Sequence, residues 1–64
     1  MKAIAKRDIK YIWYDYINFI TNNKYDVVFH GVDYITKIKD EKGEEIEYCG
    51  EPKHLAEDFD FAEE

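Results

Sequence analysis

The chain has 64 residues, eleven of them aromatic, and a net charge of -6. One domain spanning 1–64 is expected, near the smallest size at which an apolar core holds without a disulfide or metal staple; each buried ring removes roughly 150 to 250 Å² from water. Residues 1–39 carry a balance of +3 and residues 40–64 one of -9, which disfavours direct nucleic-acid binding, because sequence-independent affinity for phosphate rests on Lys and Arg releasing counterions.

Residues 2–9 contain neither Gly nor Pro and set Ala3 and Ala5 against Ile4. They predict an opening strand whose small side chains allow close approach to its neighbours. No apolar run nears the roughly 18 residues of a membrane span, and no long apolar segment of the signal-peptide kind follows the basic start. A lone Cys49 has no internal disulfide partner, in keeping with a reducing compartment. The expectation is a cytoplasmic protein with no membrane association.

Residues 9–20 carry two competing periods, since nine of these twelve are Ile, Tyr, Trp or Phe. As a helix, Ile9, Ile12, Trp13, Tyr16, Ile17 and Ile20 share a stripe, with Asp8 as N-cap. As an extended segment, Ile12, Tyr14 and Tyr16 face one way and Tyr11 and Trp13 the other. Branched and ring side chains lose rotamer freedom in a helix, which favours the extended or long-loop reading. Both conformations stay open at this point.

Thr21-Asn22-Asn23 predicts a turn, because Asn tolerates left-handed backbone angles. Three alternating segments follow. Tyr25, Val27 and Phe29 share a face of the first, Tyr34, Thr36 and Ile38 one of the second, and Ile46 and Tyr48 one of the third. Gly31 and Asp33 are placed in the first turn of this three-strand antiparallel meander. Asp40-Glu41-Lys42-Gly43 predicts the second, with positive φ at the glycine. Gly50 and Pro52 then end the sheet, Leu55 anchors a short loop through one 3₁₀ turn, and Phe59-Asp60-Phe61 returns as a short last strand paired with the first.

This order of elements is that of an SH3-like barrel. The chain resembles small SH3-like proteins of Gram-positive bacteria and their phages through Met1-Lys2-Ala3, Phe19, Asn22, Tyr25 and Val27, Asp40 with Gly43-Glu44, and Phe59 with Glu63 and Glu64. The resemblance implies a mainly β fold, a small SH3-like five-strand barrel; the alternative is α+β, with one helix at about 8–21 packed on a small antiparallel sheet. Trp13-Tyr14-Asp15-Tyr16 is also similar to the tyrosine signature of eukaryotic-type SH3 domains. The Trp and Tyr that complete a proline-peptide groove in those domains are missing here.

His30, Cys49 and His54 are the sole soft metal ligands in the chain, short of the four that structural zinc requires. Gly31, Gly43 and Gly50 lie too far apart for a phosphate loop. No metal, cofactor or catalytic residue is expected, and the chain is read as non-enzymatic. Tyr11, Trp13, Tyr14, Tyr16 and Phe19 are more rings than a short loop can hide, so they are the candidate surface for a protein partner or a second copy. Two further readings differ in class. Glu44, Glu45, Glu47, Glu57, Asp58 and Asp60 form a candidate acidic face, as in a phage-type inhibitor that imitates nucleic acid against a host enzyme or defence protein. Lys2, Lys6, Arg7 and Lys10 form a small basic edge that, with the rings, fits a nucleic-acid-binding barrel.

Overall fold

The computed structural model describes residues 1–32 and 34–63, the side chains of Val32 and Pro52 excepted. Asp33 and Glu64, each placed in a motif above, lie outside the described residues. Five strands appear: β1 Lys2–Ala5, β2 Lys24–Val32, β3 Ile35–Lys39, β4 Glu45–Cys49 and β5 Phe59–Ala62. One helical turn, α1 Pro52–Leu55, replaces the expected 3₁₀ turn and buries Leu55 as its anchor.

The strands form one antiparallel sheet in the order β4-β3-β2-β1-β5. The mainly β class, the β2–β4 meander and the pairing of last strand with first are as expected. Ala3 and Ala5 are wholly buried where β1 lies between β2 and β5. Asn22 takes φ 71° and Gly43 φ 84°, the left-handed angles that their turns require.

Tyr34, expected on the face of Thr36 and Ile38, instead precedes β3 with φ 62° and is exposed. Two further expectations are corrected. The sheet is not closed into a barrel, and no ladder joins β4 to β5 among the described residues. Rings fill that seam: Tyr48 of β4 meets Phe59 of β5 with centroids 5.9 Å apart, and the Tyr11 hydroxyl bonds that of Tyr48. The strands are four to nine residues long. With edges this short, side chains seal the core and the backbone does not.

The second correction concerns Phe29, expected on the face of Tyr25 and Val27. Val27 pairs with Ile38, but Phe29 pairs with Lys37, so a bulge at Val28 inserts one residue and flips the alternation. Phe29 therefore lies under the Lys37 ammonium at 5.7 Å, on the outer face. His30 takes the inner place, stacked on Phe61 at 4.1 Å and bonded to the buried Thr36 hydroxyl.

The core comprises Ala3, Ala5, Ile9, Phe19, Tyr25, Ile38, Ile46 and Phe59. Phe19 is its hub, edge-on to Tyr25 at 4.9 Å and to Phe59 at 5.0 Å. Such pairs add about 0.5–1.5 kcal/mol beyond area burial.

Candidate functional site

Residues 8–21 contain no helix, which removes the α+β alternative. They form a loop tied at its base and apolar at its tip. At the base, Asp8 Oδ1 accepts from both the amide and the hydroxyl of Thr21, each at 2.8 Å. Ile9 and Phe19 exchange both backbone hydrogen bonds, at 2.8 and 3.1 Å. The competing helix fails because its stripe would leave these partners unused and withdraw Phe19 from the core.

The middle of the loop hangs on Asn18 and Asp40, both buried. Asn18 Oδ1 accepts from the Tyr11 amide at 3.0 Å, and its Nδ2 donates to Asp40 Oδ2 at 2.8 Å. The Tyr16 hydroxyl donates to the same oxygen at 2.7 Å. Asp40 Oδ1 accepts from the amides of Lys42 and Glu44, so one carboxylate organises the β3–β4 hairpin and the loop together.

Burial alone would push the Asp40 carboxyl upward. The donors from Tyr16, Asn18, Glu44 and Lys42 outweigh it and hold the group below the usual carboxylate range. Desolvation, then the Asp40 carboxylate, pushes the Tyr16 phenol up; desolvation, then the charge of Asp58, does the same to Tyr11. Both phenols stay neutral at any physiological pH, and that of Tyr16 remains a donor to Asp40.

At the tip, the Tyr14 amide donates to the Tyr11 carbonyl at 3.0 Å, closing a four-residue turn. Lys10 Nζ caps the Tyr14 carbonyl at 2.6 Å. The two corner residues of this turn are Ile12, 84% exposed, and Trp13, 88% exposed. Turn corners favour Gly, Pro, Asn, Asp and Ser, which cost nothing in water. An Ile-Trp pair there holds most of its apolar area against solvent.

The candidate rings thus separate. Trp13 is open, whereas Tyr11, Tyr14 and Tyr16 are half-buried, with Tyr14 edge-on to Tyr16 at 5.5 Å and Lys42 Nζ 4.3 Å from the Tyr16 centroid. Phe19 is corrected from contact surface to core, being fully buried between Tyr25 and Phe59. Ile12, which shares an apolar face in both the helical and the extended reading, belongs to the exposed tip instead. The sequence places Asp40 only in a hairpin; its second role depends on contacts 22 and 24 positions away, which no local pattern encodes.

The six acidic residues divide into two groups. Glu44, Glu45 and Glu47 sit on or beside β4, and Glu57, Asp58 and Asp60 on or beside β5, at the other end of the sheet order. Three engage cations: Asp58 with Arg7 at 2.8 Å, Asp60 with Lys6 at 3.5 Å and Glu47 with Lys37 at 3.8 Å. With the Lys2–Asp26 pair, the Arg7 and Lys6 pairs engage three of the four residues of the small basic edge. Exposed pairs of this kind contribute little to stability, because solvent screens them.

Among the described residues, no three His, Cys, Asp or Glu side chains cluster as a metal site, and no helix is long and apolar enough to cross a membrane. No protein-family model matches the chain, nor does any curated protein or solved structure.

Proposed function

We propose that the chain is a non-enzymatic interaction module that takes a protein partner on the tip of its 8–21 loop, with Trp13 and Ile12 as anchors. The observation that carries this reading is an 88%-exposed Trp on a turn held by hydrogen bonds at both of its ends. Trp is the residue most enriched where contacts dominate binding energy, and a pre-ordered loop loses little entropy on docking. Tyr11 and Tyr14 flank the anchors as fixed walls. A cytoplasmic site of action fits the unpaired, exposed Cys49.

The acidic-inhibitor reading draws less support, because three of its residues have cationic partners. Nucleic-acid binding draws less still, with Lys6 and Arg7 engaged by acids.

The test is quantitative capture from cell lysate on immobilised wild type and on an Ile12→Ser/Trp13→Ser variant, with circular dichroism to check the fold. Loss of the captured species in the variant is the expected result. Equal capture by a correctly folded variant ends the proposal. Sedimentation of both proteins distinguishes a second copy of this chain from a foreign partner.

A further inference from the structure

The Trp13 turn does not stand alone. Tyr11, Trp13 and Tyr14 form one wall of a groove whose other wall is residues 45–48 of β4. That strand is an edge of the sheet, and the parity of its ladder tells which backbone groups it leaves over. The Asp40 amide donates to the Glu44 carbonyl and the Gly50 amide to the Tyr34 carbonyl, and the register between them pairs Ile38 with Ile46 and Thr36 with Tyr48. In an antiparallel ladder alternate pairs exchange hydrogen bonds. Ile46 and Tyr48 therefore spend their amides and carbonyls on β3, and Glu45, Glu47 and Cys49 aim theirs at the open side. Among the described residues, no backbone hydrogen bond reaches those three from that side.

Side chains alternate along the same strand. Ile46 is buried and Tyr48 half-buried, facing the ring-lined core, while Glu45 and Glu47 are exposed along the rim. Lys37 and Lys39 lie one strand further in, opposite Glu47 and Glu45, and Lys37 approaches Glu47 at 3.8 Å, so an incoming cation shares Glu47 with it; the outermost side chains facing an incoming strand here are still acidic. A second copy pairing antiparallel through this edge would set glutamate against glutamate, which is unfavourable. A basic segment meets the opposite condition.

We propose that this groove takes an extended segment of a partner protein as a sixth strand on β4, with Lys or Arg at alternate positions and apolar residues between them. The basic residues pair directly with Glu45 and Glu47, exchanging backbone hydrogen bonds with them. The intervening apolar residues turn toward Ile46 and Tyr48, against the Tyr11, Trp13 and Tyr14 wall. Main-chain bonds supply affinity and the alternate pockets supply selectivity, the general logic of strand addition. The proposal rests on the loop-tip reading above and adds the chemistry of the occupant.

The probe is a blocked ten-residue peptide of alternating Lys and Val, titrated into isotope-labelled protein and followed by amide resonances and hydrogen exchange. The expected result is at least tenfold slower exchange at the amides of Glu45 and Glu47, together with a shift of the Trp13 indole resonance. The same peptide methylated on the backbone nitrogens of its lysines keeps charge and apolarity but loses the donors, and should bind at least tenfold more weakly. Glu45→Gln/Glu47→Gln, two exposed changes compatible with the fold, should also weaken binding about tenfold at low salt and less at high salt. Equal binding of the methylated peptide, protection confined to other strands, or no binding at all overturns strand addition. If lysate capture still depends on Trp13 after any of these results, the loop-tip reading stands and the sixth strand falls; if the peptide protects β4 without moving the Trp13 indole, strand addition stands and the Trp13 anchor falls.

Discussion

Trp13 and Phe19 belong to one loop, six positions apart, and lie at opposite extremes of exposure, 88% and 0%. Their chemistry hardly differs; their neighbours do. Phe19 follows Asn18, whose side chain bridges the Tyr11 amide to Asp40, and it shares both backbone hydrogen bonds with Ile9. Those bonds draw the base of the loop over the sheet and drive its ring into the core. Trp13 sits at the corner of a turn closed by Tyr11 and Tyr14, where the backbone has reversed and the indole is left open to solvent. Position relative to the tethers decides which ring stabilises the fold and which stays exposed.

The largest break in that comparison is Phe19→Ala. Emptying the hub of the core should cost about 3–5 kcal/mol in urea unfolding, enough to unfold a domain of this size. The Asp40→Asn change comes next, because an amide cannot accept from Tyr16, Asn18 and two backbone amides at once. A loss of about 1–3 kcal/mol at neutral pH is expected. Since the folded Asp40 carboxyl titrates below its unfolded value of about 3.9, its contribution is complete above that pH and vanishes as acid takes the solution through the lower, folded value. Stability curves of wild type and Asp40→Asn should therefore converge on acidification, and parallel curves would remove Asp40 from its role as tether.

A smaller effect is expected at Asn22, whose φ of 71° suits Asn and Gly but not a residue with an ordinary Cβ. Asn22→Ala should cost about 1 kcal/mol and Asn22→Gly close to nothing, read from urea midpoints. The smallest belongs to Trp13→Ala, expected within about 0.5 kcal/mol of wild type in the same experiment. A large loss there would mean that the indole is structural, and the contrast with Phe19 would dissolve.

Much of the sheet was legible from alternation alone. Tyr25 to Tyr48 reads as three strands because β-branched and aromatic residues recur every second position, and Phe59-Asp60-Phe61 reads as a partner for β1. Alternation failed at Phe29, where a bulge set by the pairing of two strands shifts the register without any Gly or Pro to announce it. It also failed for residues 9–20, where periodicity leans to a helix, propensity leans against it, and the deciding contacts come from Asp40 and Glu41, more than twenty positions away. The candidate site was half visible for the same reason. An excess of rings marks the loop, but nothing local separates Trp13 and Ile12 from Phe19.

The ring-filled seam between β4 and β5 has a dynamic consequence. A barrel closed by a ladder parts only when backbone hydrogen bonds break, whereas the contacts of Tyr48, Phe59 and Tyr11 between the two ends of this open sheet part when side chains rotate. Gaping along this line costs less than melting any strand, so water should first enter the interior here. Slow flipping of the Tyr48 and Phe59 rings would then time the breathing of the molecule.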